Sequence, residues 1–377
     1  MKGVLNRIMR NVVNIPGWST KRHIVVIESD DWGSTRVRSN EDTLSLEKVG
    51  FDFSKTSFYQ YDALESNNDV SDLLEVLSKY KDYKGNYPVF TLACNVANPD
   101  YERIKANDYR EYYWESFVKT LDRYPNHNQV YELEKEGIRL GMFRPVFHGR
   151  EHLNVLQWMN YLQSGNKSVL LAAEHGLFSV ITDINGNKLA ELPAAFDINS
   201  LEDLGYLRST IEEGLAEFQR LWNMNARYFI IPNGPFNKSL EKDFMEHGVD
   251  IIVGPRKQKE VLGDGLTKTH YQTFGMKNSL GQIYLTRNAS LEPGIIEGNL
   301  NVNCLENALL SVERSFRWFK PAIISSHRIN YLGYLNPKNK DLGLSVLDMF
   351  LKKILKRWPD VEFMSSVELG DLILKRE

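Results

Sequence analysis

Short apolar runs alternate along this chain with longer stretches in which apolar residues return every three or four positions. The runs at 23–29, 87–96, 142–147, 177–183, 226–231, 249–253, 282–287, 321–326 and 361–364 are near-continuous and rich in Val, Ile and Phe. Such runs predict strands covered on both faces. The stretches at 70–80, 151–162, 204–222, 239–247, 302–319 and 342–357 predict amphipathic helices. Strands alternating with helices over the whole length predict an α/β fold with a mainly parallel sheet, open or closed into a barrel. No internal repeat, low-complexity segment or Gly/Ser linker interrupts the pattern, so residues 21–377 read as one domain. The longest insertion-like stretch, 153–227, is expected to form a helical flap.

Residues 1–20 differ. Basic and apolar residues alternate there without building a continuous apolar segment, and no small-residue cleavage site follows. This predicts a basic amphipathic segment, helical over 2–13, rather than a signal peptide. No run approaches the roughly 20 apolar residues that cross a bilayer. A cytoplasmic location without stable membrane insertion is the expectation.

Of the 377 residues, 42% are hydrophobic and 25% charged, which is enough apolar material for a large core. The formal net charge of -3 lacks the basic excess of a general nucleic-acid binder. Two cysteines, Cys94 and Cys304, supply neither a disulfide framework nor a cysteine-based zinc site, and suit a reducing compartment.

Candidate chemistry collects where strands are expected to end, the usual place for ligands in parallel α/β architectures. Asp30-Asp31 follows the first run. Neighbouring side chains of a regular strand point to opposite faces, so both can face one pocket only if the strand ends and turns there. Trp32-Gly33-Ser34 is expected to supply that turn. One carboxylate could then bind a cation while the other takes a proton. His148 and His152 lie four apart at the start of the helical pattern, a spacing that puts both imidazoles on one helix face. With one aspartate they make a His-His-Asp set with room for water, the layout of a catalytic zinc site. His327, after the run at 321–326, is placed to act as a general acid. Asn233-Gly234-Pro235 forms a tight turn at another strand end. Asn233, Asn95, Asn98, Arg287 and Glu292 are further pocket candidates, with Asn95, Asn233 and Arg287 expected to bind substrate.

Together these residues resemble the polysaccharide deacetylase superfamily, whose catalytic domain is a distorted (β/α) barrel. The Glu28-Ser-Asp-Asp-Trp-Gly33 segment resembles the family's aspartate pair, His148–His152 its H-x-x-x-H motif, and Ser-Ser-His327-Arg its late histidine. The resemblance spans residues 23 to about 330. It implies that Asp31, His148 and His152 hold one divalent metal ion, Zn2+ foremost, with Co2+, Ni2+, Mn2+ or Fe2+ as alternatives. It implies Asp30 as general base, His327 as general acid, and a carbohydrate as substrate.

Two departures stand out. Gly149 occupies a position where the family has Ser or Thr. The stretch corresponding to the family's Arg-x-Pro-x-Gly reads Ile230-Ile-Pro-Asn-Gly234, so another arginine, Arg287 or Arg144, would have to orient the base. The leading reading is a metal-dependent deacetylase acting on an N-acetylated sugar or glycan intermediate. Cleavage of another non-peptide C–N bond is the second reading, and a non-catalytic carbohydrate-binding protein the third. Adjacent carboxylates do not match the separated pair of a glycosidase.

Overall fold

The computed structural model describes residues 15–53, 60–178, 183–185, 187–296, 299–300 and 303–376. Ten strands build its central sheet: β1 (Ile24–Trp32), β2 (Phe90–Cys94), β3 (Phe143–Phe147), β4 (Tyr228–Ile230), β5 (Ile251–Val253), β6 (Met276–Lys277), β7 (Ile283–Leu285), β8 (Ala289–Ser290), β9 (Ala322–His327) and β10 (Glu362–Phe363). Their spatial order is β6-β7-β5-β4-β3-β2-β1-β9-β8, with β10 also paired to β1. Every pairing is parallel except β6 with β7. The fold is therefore mixed α/β around a mainly parallel sheet.

The sheet curls because of its connectivity. Its outer parallel strands, β7 and β8, are consecutive in the chain, and only Thr286, Arg287 and Asn288 separate them. Four peptide steps reach at most about 14 Å, so these two strands must lie within about three strand spacings of each other. No hydrogen-bonded pairing joins β7 to β8 among the described residues. The expected barrel is thus rolled but not closed, and Arg287 stands in the open seam.

Side-chain alternation along β1 gives two packed layers. Val25 and Ile27 face the outer core, where helices cover the sheet. Ile24 and Val26 face inward, against Tyr228, Ile230, Ile251, Val253 and Ile323. The helix Ser366–Leu374, which opens with a capping box on Ser365, contributes Val367, Leu369 and Ile373 to that inner layer. Three helices, Val155–Gln163, Lys167–Glu174 and Asp203–Trp222, lie between β3 and β4. No described helix is long and apolar enough to cross a membrane.

Eight of the nine expected strands form, each within a few residues of its expected span. The strand expected over 177–183 does not: Leu177 and Phe178 are buried outside any strand, and 179–182 fall outside the described residues. The helix expected over 2–13 also falls outside them. β8 and the hairpin Lys257–Gly263 with Leu266–Tyr271 were not anticipated. β8 is two residues long, and the second hairpin strand is largely exposed, so neither leaves a run of apolar residues.

Gly33 ends β1 at φ +77°, and a Cβ there would sit 2.4 Å from the Asn95 carbonyl oxygen. That oxygen belongs to backbone anchored by Asn95 N–H on the Trp32 carbonyl, 2.8 Å. Both the left-handed backbone and the clash penalise a side chain. Gly33→Ala is expected to lower stability by about 2–4 kcal/mol, read from its urea midpoint.

Candidate active site

The inner face of β1 changes character as it rises. Ile24 and Val26 are followed on the same face by Glu28 and Asp30. Glu28 is fully buried, and three donors meet it: Tyr228 Oη at 2.5 Å, Ser366 Oγ at 2.7 Å and Arg287 Nε at 2.6 Å. Arg287 then forks onto Asp30, with Nη1 donating to Oδ2 at 2.6 Å and Nη2 to Oδ1 at 2.5 Å. Burial pushes the Asp30 carboxyl up, but the Arg287 guanidinium overcomes this and holds it below the usual carboxylate range.

Asp31 would face away from this pocket in a regular strand. The strand does not end at the acidic pair, as the sequence suggested, but continues to Trp32. A bulge does the turning. Between Ser29, opposite Leu92, and Trp32, opposite Cys94, β1 spends one residue more than β2. Asp31 takes φ +77°, a left-handed conformation that costs a non-glycine residue on the order of 1 kcal/mol. Both carboxylates thereby reach one cavity. Burial raises the Asp31 carboxyl, yet Arg36, at 3.2 Å, and the two imidazoles hold it well below its usual range.

His148 and His152 do not share a helix face. Residues 148–154 are irregular, and the helix starts at Val155 behind its cap Asn154, whose side chain accepts from Gln157 N–H. Gly149 at φ +113° makes the reversal that brings the rings to 5.0 Å between centroids. That backbone conformation suits glycine and penalises a Ser or Thr at this position. His148 Nδ1 lies 2.8 Å from the Ile230 carbonyl, an acceptor only, so Nδ1 carries a proton and Nε2 is the ring atom turned toward Asp31. That Nε2 is 3.5 Å from Asp31 Oδ1, and His152 Nε2 is 3.1 Å from the same oxygen. Burial pushes His152 down to about 4, so it is neutral.

Ligand atoms of Asp31, His148 and His152 all lie within 4.8 Å of one another, and all three residues are buried. Two imidazoles and one carboxylate, with His148 oriented from behind, fit a divalent ion.

His327, at the end of β9, places Nε2 3.9 Å from Asp30 Oδ2. Its Nδ1 meets Glu292 Oε1 at 2.8 Å, and Asn330 Nδ2 donates to the other Glu292 oxygen at 2.5 Å. Desolvation opposes the charged imidazolium, but Glu292, Asp31 and Asp30 outweigh it and push His327 up to about 9. Beneath the site runs a buried ion chain. Arg36 pairs with Asp31 and Asp62, and Arg328, fully buried, bonds Asp62 at 3.0 Å and Glu65 at 2.6 Å. Glu65 in turn accepts from Gly33 N–H at 3.0 Å.

These groups open on a cavity of about 780 Å³ lined by Asp30, Asp31, His148, His152, Arg287 and His327. Its walls add Lys188, Leu189, Glu191 and Pro193 from the β3–β4 insertion, so a loop of that insertion lines the site, not its helices. Asn233 lines it too, exposed and bonded to Glu191 at 2.9 Å. Asn95 does not. It is fully buried behind His148, donating to the His148 carbonyl at 2.9 Å, which corrects the expectation that it meets substrate. Asn98 likewise braces the β1 loop through Gly33 O and Thr35 N–H. Arg287, expected at the substrate, is spent on Asp30 and Glu28. Arg36 and Glu28 were not singled out from the sequence. An arginine five residues after Asp31, and an acid two before Asp30 on the same strand face, were the available signals.

No sequence-family profile and no curated protein matches the chain. Several solved structures do resemble it. A Parabacteroides distasonis protein, provisionally described as a glycoside hydrolase/deacetylase, is 9% identical, with 96% of this chain and 74% of that one covered at a TM-score of 0.49. A Mycobacterium smegmatis protein, provisionally a polysaccharide deacetylase, is 11% identical over 96% and 94% of the two chains, TM-score 0.46. PuuE allantoinase is 11% identical over 94% and 91%, TM-score 0.45.

Arg328→Met leaves Asp62 and Glu65 buried without their cation, so a loss of about 3–5 kcal/mol is expected in chemical denaturation. Glu292→Gln removes the charged partner of His327. Its imidazole titration, followed by NMR, should fall by about one to two pH units, the worth of one charge-assisted hydrogen bond. Because the folded value is raised, the stability His327 contributes is present below about pH 6.5 and lost as pH rises through about 9. Glu292→Gln should flatten that part of the stability profile.

Proposed function

We propose that the protein is a metal-dependent hydrolase that removes an acetyl or other N-acyl group from a sugar or glycan intermediate. The observation that carries this reading is the buried Asp31, His148 and His152 set lying beside an arginine-clamped aspartate and a carboxylate-backed histidine. Asp31, His148 and His152 would hold the ion, with zinc the best match to this donor set. When bound, the ion supplies a Lewis acid that polarises the acyl carbonyl and acidifies a water.

The protein's own groups do the rest. Asp30 stays ionised and accepts a proton from the attacking water. Arg287 fixes both of its oxygens, so the carboxylate cannot rotate away, while each oxygen keeps a lone pair for that proton. His327 enters as the imidazolium, and its Nε2–H, beside Asp30, is given to the departing nitrogen. Glu292 holds the ring by Nδ1 and maintains its charge. A base left without an arginine would favour a non-catalytic binder, and Arg287 supplies one by reaching Asp30 from the seam. The sugar class comes from the resemblance, and a cavity of about 780 Å³ suits a small ligand of that kind.

Elemental analysis tests the reading without a known substrate. Protein purified without chelator is expected to carry about one transition-metal ion per chain, and His148→Ala to lose it. Asp30→Asn should keep the metal and lose about 10²–10⁴-fold in turnover on a panel of N-acetylated sugars. Absence of metal in the wild type after reconstitution with several divalent ions overturns the proposal.

A further inference from the structure

Most of the charged side chains around the cavity are paired with one another. Arg36 is paired with Asp31 and Asp62, Arg287 with Asp30 and Glu28, and His327 with Glu292. Two lining cations remain. Arg256 and Lys188 meet no acidic or other hydrogen-bond acceptor among the described residues, although both face the same space as the metal-ligand set. Glu191, the remaining acid on that wall, accepts from the Asn233 amide instead.

Lys188 is exposed, so water satisfies it at little cost. Arg256 is different. It is half-buried, and desolvation with no compensating carboxylate pulls its guanidinium down. A partly desolvated arginine held without an anion costs free energy that a surface position would avoid. Its backbone is also fixed. Pro255 precedes it, its carbonyl accepts from Gln272 N–H at 2.9 Å, and a Cβ on Gly254 would meet Gln258 Oε1 at 2.4 Å. Arg256 thus lines the cavity from a backbone-held turn just past the end of β5, and a guanidinium fork suits a planar or tetrahedral oxyanion.

We infer that the substrate carries an anionic group, phosphoryl or carboxylate, and that Arg256 binds it with Lys188 at the rim. The inference rests on the hydrolase reading for the N-acyl end of the substrate, and on charge and geometry alone for the anionic end. It makes Arg256, rather than Arg287, the arginine that selects substrate.

Calorimetric binding to the metal-reconstituted protein separates the two claims. The probes are N-acetylglucosamine, its 1-phosphate and 6-phosphate, N-acetylmuramic acid as the carboxylate, and inorganic phosphate. At least one charged sugar is expected to bind tenfold or more tighter than N-acetylglucosamine. That advantage should vanish in Arg256→Gln, with metal content and urea midpoint unchanged. A preference for the phosphates identifies a phosphoryl site, and a preference for the muramic acid a carboxylate site. Equal binding of neutral and charged sugars, an advantage that survives Arg256→Gln, or no binding of any anionic probe overturns the inference. Anion preference in a protein that takes up no metal would instead sink the hydrolase reading and leave the anion site standing.

Discussion

The fork of Arg287 onto Asp30 and Glu28 is the interaction on which the site depends. Two carboxylates stacked on the inner face of one strand repel each other, and both are out of water. A single guanidinium between them, supported by Tyr228 and Ser366 on Glu28, satisfies the pair with charged hydrogen bonds in three directions. The same side chain stands where the sheet fails to close. Parallel pairing ends at β7 and β8, and a side-chain ion pair reaches across to β1 in its stead.

The second constraint is the bulge at Asp31. Without the extra residue, strand alternation would send Asp31 into the helix-covered layer with Val25 and Ile27. With it, one carboxylate faces the imidazoles and its neighbour the arginine. The adjacent acids thus acquire separate partners. Arg36, Asp62, Arg328 and Glu65 form the ionic support beneath, ending on the Gly33 N–H at the turn.

Much of this was legible in the chain. Strands buried on both faces announce themselves as apolar runs, so β1 to β5, β7, β9 and β10 could be read directly. Asp31, His148 and His152 were recognisable because they follow such runs, and the structure brings them together. What could not be read was backbone detail. Nothing in Glu28-Ser-Asp-Asp-Trp distinguishes a strand end from a bulge, and H-x-x-x-H looks the same on a helix as on a loop turned by Gly149. Asn95 resembled a rim residue because its strand position was right, but its side chain turns back to the His148 carbonyl. Arg36 lay outside the reading because a salt bridge within a loop carries no periodic signature.

The route by which Arg287 reaches Asp30 has a consequence for how such sites are recognised. A guanidinium delivered from residue 287 lands on the same carboxylate that an arginine near residue 230 would serve, over fifty positions away in the chain. What matters to the Asp30 carboxylate is where the charge sits in space, not where its residue sits in the chain. An arginine on another segment that reaches the same point would serve that carboxylate equally well. A linear pattern that demands it at one place would overlook a complete site.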